Sequence, residues 1–370
     1  MKSILFCVSS DVVTDQRVLR HCTTLIHNGY EVHVIARKTH KSLALPDLPF
    51  KVTRFRMLFE SGPLFYACFN LRLFFFMMFQ PASIIWSNDL DTLVPCYIIK
   101  RIKGKKLVFD AHELFTEVPE LENQPFKKSL WEWVERRFVA KSDLLITVND
   151  SLSAVFKSRY ELTFNVIRNV PKSLPFTPSL SKESLGIQQG SLVCILQGSG
   201  LNTGRGLIET VEAFKTLEKV VLFVIGSGNA LDAAINYCNL HGLEDRIRFI
   251  PRLPYHEMMS YTQLADVGLA YDTHPCMNFQ LALPNKIFDY FQAGIAVLCG
   301  PQPEIKQLVE KYYCGRIMEQ ITPEQISQNL QYFQKNPKEL ELFKMNSLMA
   351  SHSENWELEE QKLIRLLKEF

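Results

Sequence analysis

The chain has 370 residues, 47% of them apolar and 22% charged. Forty-one Lys and Arg stand against 39 Asp and Glu, a formal net charge of +2, so no global field points to a nucleic-acid partner. The length exceeds one ordinary core and predicts two domains; the nine cysteines contain no Cys-x-x-Cys pair, which excludes a zinc-finger framework and suits a reducing compartment.

In chain order, Ile4–Ser10 (ILFCVSS) is a short apolar run and reads as a buried strand, since it is too brief for a signal-peptide core. DQRVLRHCTTLIHNG follows with Val18, Leu19, Cys22, Leu25 and Ile26 at helical spacing and Gly29 as its stop. EVHVIAR, SIIWS, KLVFDA and DLLITVN repeat the strand pattern, each followed by helix-like sequence. The alternation predicts a parallel sheet covered on both faces. Phe65–Phe79 (FYACFNLRLFFFMMF) is interrupted by Asn70 and Arg72 and is shorter than a membrane span. It is expected to be a buried domain helix rather than a membrane-surface one, because Arg72 is its only basic residue.

Beyond Val166 a stretch rich in Pro and Ser reads as a linker. The alternation then restarts with SLVCILQ, a helix from about Gly206, KVVLFVIG, a helix after Gly228, RIRFI, a helix from Pro254, DVGLAY, a further helix and IAVLC. From about Pro337 the chain is helical to Phe370. The expected organisation is an N-terminal domain at 1–172, a linker at 173–189 and a C-terminal domain at 190–351. A last helix, about 352–370, is expected to pack back on the first domain. Ligands of open α/β sheets bind at the carboxyl ends of strands, so the loops that follow strands, facing an interdomain cleft, are the candidates for function.

Ala282–Gly294 (ALPNKIFDYFQAG) places Asn285, Lys286 and Asp289 at the start of an amphipathic helix, with Ile287, Phe288 and Phe291 free to face a core. A helix N-terminus already favours an anion, so Lys286 suits a phosphate and Asp289 suits paired hydroxyls such as a ribose. A capped surface helix with an intrahelical ion pair is the plainer reading. Gly204, Arg205 and Gly206 close a glycine-rich loop after SLVCILQ and form a plausible phosphate cradle, without the Gly-Lys-Ser/Thr of a Walker loop. Gly226 and Gly228 begin like a dinucleotide fingerprint but lack its third glycine and its acidic partner, so a tight turn beside a ligand is expected.

In the first half, Asp110-Ala111-His112-Glu113 ends KLVFDA, where His112 could orient or deprotonate a hydroxyl. A polar loop with a helix cap is the alternative. Asn88-Asp89-Leu90-Asp91 resembles an Asp-x-Asp metal motif only superficially; Asp89 or Asp91 capping the next helix explains it without a metal. There is no serine-hydrolase elbow, His-Glu-x-x-His or kinase signature.

Taken in order and spacing, these segments resemble the retaining glycosyltransferases of the GT-B fold, family 4 type, over nearly the whole chain. Gly204-Arg205-Gly206, DRIRFIPRLPYHEMMSYTQLADVGLA, ALPNKIFDYFQAG, DQRVLRHCTTLIHNGYEVHVI and FDAHELF carry the resemblance. It implies an α/β chain of two Rossmann-like parallel-sheet domains. It further implies transfer of a sugar, with retention, from a nucleotide-diphosphate sugar to a hydroxyl acceptor in cell-surface polysaccharide or glycolipid synthesis.

His112, Arg205 and Lys286 are then the catalytic candidates. Gly204, Gly206, Gly226, Gly228, Arg252, Leu253, Asn285 and Asp289 are the donor-side candidates, and Ser10, Asp11, Asn88, Asp89 and Glu113 those on the acceptor side. The donor would be a UDP-sugar or GDP-sugar, with no metal or other cofactor. The acceptor would be a glycan or a lipid-linked molecule. The setting would be cytoplasmic, with peripheral contact at the inner membrane face open. Leu281 stands where the family carries the first of two glutamates, which leaves donor-sugar contacts to backbone amides or to neighbours such as Asn278 or Gln280. A sugar-nucleotide epimerase, or a binding protein with a decayed site, are the competing readings. Lys127–Phe138 (KKSLWEWVERRF) is expected to be an amphipathic helix packed on the first domain; contact with a lipid-linked acceptor at a membrane surface is the alternative.

Overall fold

The computed structural model describes residues 2–40, 42–173 and 180–370. Residues 174–179 of the expected linker lie outside these. The chain forms two compact units, one made of Met1–Asn169 with Glu359–Phe370, the other of Val170–Leu358.

The first unit contains β1 (Ser3–Cys7), α1 (Gln16–His27), β2 (Glu31–Lys38), β3 (Lys51–Arg56), α2 (Gly62–Met78), β4 (Ile84–Asn88), α3 (Leu93–Lys103), β5 (Lys106–Ala111), α4 (Pro119–Glu122), α5 (Pro125–Phe138), β6 (Leu144–Thr147), α6 (Asp150–Tyr160) and β7 (Asn165–Val166). Its seven strands are parallel, in the order β3-β2-β1-β4-β5-β6-β7. The central strands are apolar because both faces are covered; Phe6 of β1 stacks on Trp86 of β4 at 4.7 Å. Asp15 starts α1 by accepting the Val18 N–H at 3.1 Å, and Asn149 starts α6 by accepting that of Leu152 at 2.8 Å.

The second unit contains β8 (Leu192–Gly198), α7 (Leu207–Ala213), β9 (Val220–Gly226), α8 (Leu231–Leu240), β10 (Ile247–Ile250), α9 (Tyr255–Leu264), β11 (Val267–Ala270), α10 (Met277–Gln280), α11 (Lys286–Ala293), β12 (Ala296–Cys299), α12 (Pro303–Tyr312), β13 (Gly315–Ile317), α13 (Pro323–Lys335) and α14 (Pro337–Ser351). The six strands are again parallel, in the order β10-β9-β8-β11-β12-β13. Leu196, Leu222, Leu269 and Leu298 line its core beneath Val211, Leu330 and Phe343 of the covering helices. α15 (Trp356–Glu369) ends the chain; from Glu359 onward it belongs to the first unit, where Glu360 accepts from Thr24 Oγ1 at 2.9 Å.

Each sheet reverses its winding once, between β1 and β4 and between β8 and β11. Loops at the carboxyl ends beside those reversals have room to hold a ligand. Three strands were not expected: β3, β7 and β13. β3 (KVTRFR) is a charged, half-buried edge strand, and β7 and β13 span only 2 and 3 residues. None offers the apolar run by which a strand is recognised.

Helix α2 departs from the expected burial, whereas α5 packs on the first unit as expected but leaves apolar residues outside. α2 buries only Phe65, Phe69, Leu73 and Met77 and leaves its other face in solvent. α5 buries only Val134 and Glu135, while Phe126, Leu130 and Trp133 are exposed.

Candidate active site

At the carboxyl end of the first sheet, register sets Asn88 of β4 opposite Asp110 of β5. Asp110 is fully buried and takes a two-pronged contact from Arg17 of α1: Nη2 donates to Oδ1 at 2.7 Å and Nε to Oδ2 at 3.1 Å. Arg17 Nη1 also donates to the Ile167 carbonyl at 2.6 Å. His112, one residue past β5, is held between two carboxylates. Its Nε2 is 3.4 Å from Asp110 Oδ2 and its Nδ1 3.4 Å from Asp89 Oδ2, and its backbone N–H donates to Asp89 Oδ1 at 2.7 Å.

The electrostatics follow from that arrangement. Burial alone would lower His112, but Asp89 and Asp110 raise it to about 9. Burial raises Asp110 too, yet Arg17 and His112 outweigh it and hold that carboxyl well below its usual range. Burial pushes Asp89 up to about 6, against the pull of His112. The two carboxylates therefore favour the protonated imidazolium, which donates hydrogen bonds, over the neutral form that a general base needs.

Asp89 does not cap the helical turn that follows. Its backbone sits at φ 58°, in the left-handed region where a non-glycine residue is strained, and its carboxylate is committed to His112. Asp91 does not cap either; it accepts a hydrogen bond from Ser9 Oγ. Nearby, Ser10 Oγ donates to Asp15 at 2.9 Å, Asp11 lies 3.5 Å from Arg54 Nη1, Asn88 Nδ2 donates to the Cys7 carbonyl at 3.1 Å, and Glu113 is half-buried beside His112. Arg17 was not singled out in the sequence. It sits amid the polar start of α1, where nothing local marks it as the partner of a residue 93 positions away.

In the second unit the loop after β8 is tied down by its neighbours. Gly204 is anchored through its carbonyl, which accepts from Thr273 N–H at 2.8 Å and His274 N–H at 3.1 Å, and it is followed by Arg205 and Gly206, which leads into α7. Arg205 Nη1 donates to Asp272 Oδ2 at 2.9 Å, and its guanidinium lies 3.6 Å from the centre of the Phe279 ring. Lys286, at the start of α11, is near enough to feel the charges of both Arg205 and Asp272, without an ion pair to either. Burial lowers it to about 8, with Asp272 pulling it up and Arg205 pushing it down. Asp272, just past β11, is buried, and its Oδ1 has no hydrogen-bond partner among the described residues. Sequence reading passed over Asp272, although a carboxylate ending the strand pattern DVGLAYD was the available signal.

Asp289 is buried one turn beyond Lys286, but its carboxylate turns elsewhere. Oδ1 accepts from Tyr255 Oη at 2.8 Å and Oδ2 from Gln197 Nε2 at 3.0 Å, and Gln197 Oε1 accepts from Thr262 at 2.7 Å. Asn285 is exposed and makes no side-chain cap. Arg252 is exposed and Leu253 half-buried in the turn between β10 and α9, which leads to Tyr255.

Gly226 and Gly228 have a packing role. A Cβ on Gly226 would stand 1.8 Å from the Gly198 carbonyl oxygen, and one on Gly228 2.1 Å from that of Leu201. The strand ends approach too closely for any side chain, which accounts for a Gly-x-Gly without a dinucleotide.

Residues 15–172 match the model described as Glycosyltransferase Family 4, and residues 181–348 match Glycosyl transferases group 1. No curated protein sequence matches the chain significantly.

Among solved structures, a sucrose-phosphate synthase from Thermosynechococcus elongatus is similar with a TM-score of 0.83 at 13% identity, over 100% of this chain and 99% of that one. HepE from Anabaena, in complex with UDP and glucose, gives 0.76 at 15% identity over 100% of both chains. WaaG, described as a glycosyltransferase involved in lipopolysaccharide biosynthesis, gives 0.75 at 16% over 97% and 98%. At such identities these structures speak for the fold, two Rossmann-like α/β units in the GT-B architecture. With family models matching both units, the chain belongs to the glycosyl transferases group 1, family 4 type, of the GT-B fold.

Proposed function

We propose that the protein transfers a hexose, with retention, from a UDP-sugar or GDP-sugar to a hydroxyl of a glycan or lipid-linked acceptor on the cytoplasmic side, in cell-surface polysaccharide or glycolipid synthesis. The Arg205–Asp272–Lys286 cluster carries this reading. Arg205 is paired with buried Asp272 at 2.9 Å, and Lys286, lowered to about 8 chiefly by its burial, feels the charges of both. A diphosphate, with about two negative charges, completes the balance through charge-assisted hydrogen bonds.

In the step itself the bond from the anomeric carbon to the phosphate oxygen breaks and its electron pair passes to the leaving diphosphate. Arg205 and Lys286 stabilise the charge that develops there without requiring a metal. The acceptor oxygen bonds to the anomeric carbon on the same face, and its proton passes to the leaving phosphate. His112, as a cation, donates a hydrogen bond to a sugar hydroxyl. Asp289 takes the nucleotide ribose by exchanging its bond from Tyr255, with Arg252, Leu253 and Asn285 flanking the nucleotide and Gly204, Gly206, Gly226 and Gly228 shaping the loops. Ser10, Asp11, Asn88, Asp89 and Glu113 line the acceptor side. The first unit, closed by the last helix, serves the acceptor, and the second serves the donor. WaaG's described role in lipopolysaccharide synthesis and HepE's complex with UDP favour this substrate class.

Thermal unfolding with UDP, GDP and ADP tests the proposal, since a ligand at about 100 times its Kd stabilises by about 2.7 kcal/mol. One uracil or guanine diphosphate should raise the melting temperature, and Lys286→Ala and Arg205→Ala should each weaken it by about ten- to a hundredfold. No shift with any diphosphate, or an unchanged shift in both variants, overturns it. Incubating donor alone and finding an isomerised sugar would indicate an epimerase instead.

A further inference from the structure

Helices α2, α3 and α5 lie on one face of the first sheet. Each belongs to a crossover that steps in the same direction along it (β3 to β4, β4 to β5, β5 to β6), and right-handed crossovers put such helices on one side. They touch side by side: Tyr66 of α2 meets Trp131 of α5 at 5.5 Å, and Tyr97 of α3 meets Phe138 of α5 at 5.2 Å.

The outward side of this layer is unusual. α2 turns Phe65, Phe69, Leu73 and Met77 to the sheet and presents Leu64, Leu71 and Phe75 to solvent, with Phe79 just beyond its end 83% exposed. Leu58, in the loop before α2, is 98% exposed. Ile98 and Ile102 of α3 are exposed, as are Leu130 and Trp133 of α5, and Phe126 is 83% exposed. A surface helix ordinarily carries polar residues outward, and an apolar field on this scale marks an interaction site.

Charge says what covers it. The three helices carry eight Lys and Arg against two Glu; with Lys100 paired to Asp143 and Lys128 to Glu117, a surplus of four remains in a chain whose net charge is +2. Arg101, Arg136 and Arg137 are exposed on it. Apolar side chains set among cations suit acyl chains beneath anionic headgroups.

We propose that the outer side of the α2–α3–α5 layer docks on an anionic lipid bilayer. The layer also borders the acceptor-side rim: Asn70 Nδ2 of α2 donates to the Asp91 carbonyl at 2.9 Å, and β3 delivers Leu58 at the same end of the sheet. Docked this way, the protein presents that rim to a lipid-linked acceptor. This last consequence rests on the transferase reading, whereas lipid binding does not.

The test is flotation of the full chain with vesicles of phosphatidylcholine alone and of phosphatidylcholine with phosphatidylglycerol in equal parts. Binding to the anionic vesicles should exceed that to neutral ones by at least about tenfold and fall as salt rises. F75S/F126S and R101E/R136E should each reduce it by about tenfold or more while keeping the nucleotide-induced rise in melting temperature. The proposal is overturned by absent flotation, by equal flotation with both vesicles, or by unchanged flotation of R101E/R136E. It is also overturned if sedimentation shows a dimer that both variants dissolve while vesicles float nothing, because a second copy then covers the face. Vesicle binding with no response to any nucleotide diphosphate would keep the docking surface and remove the transferase reading.

Discussion

His112 shows how environment decides what a residue can do. The same imidazole in water would be mostly neutral at pH 7 and a candidate base. Between Asp89 and Asp110 it is raised to about 9 and becomes a fixed cation. The sign of the linkage follows: its favourable contacts are present at its ordinary value of 6.5 and are lost as pH rises through about 9, while the share from Asp89 is also lost as pH falls through about 6. Labelled-histidine NMR across that range should show one resonance, absent in His112→Gln, with a midpoint near 9. A midpoint at or below 6.5 would mean that the two carboxylates do not hold it.

Elements explain the glycine-rich loops better than any motif does. β8 and β9 end side by side, with Gly198 opposite Gly226, and the loops that follow them are stitched together by Leu201 N–H to the Ser227 carbonyl at 2.8 Å and Thr203 N–H to Asn229 Oδ1 at 2.8 Å. The loop holds Arg205 toward Asp272 because its own backbone bonds are satisfied elsewhere. Gly226→Ala should therefore destabilise the second unit by about 2 kcal/mol or more, since backbone rather than a pliable side chain must yield. Urea unfolding measures it, and a change within about 0.5 kcal/mol would show that the strand ends can part freely.

Across the whole molecule, the last helix ties the order of the chain to its architecture. Leu363 and Leu367 of α15 are fully buried in the first unit although they follow the second in sequence. Arg168 N–H donates to Glu359 at 3.0 Å, which fixes where the helix enters. Leu363→Ala should cost about 2–5 kcal/mol in that unit and leave the nucleotide response of the second unchanged. Loss of nucleotide binding in parallel with stability would contradict this separation.

The two parallel sheets, the carboxyl-end loops and the Lys286–Asp289 helix start were legible in the sequence because they depend on local pattern: apolar runs, 3.6-residue spacing and turn residues. Edge strands β3, β7 and β13 were not, because they are short or half-wet and carry no such pattern. Nor were the partnerships that define the site. Arg17 with Asp110, Arg205 with Asp272, and Asp289 with Tyr255 and Gln197 join residues 34 to 93 positions apart. The sequence by itself determined which chemical groups each loop offers. Only the tertiary structure decided that two carboxylates raise His112, that Asp272 pairs with Arg205 and that α2 keeps an apolar face in solvent. Charge state and exposure depend on neighbours brought together through space, and no run of adjacent residues encodes them.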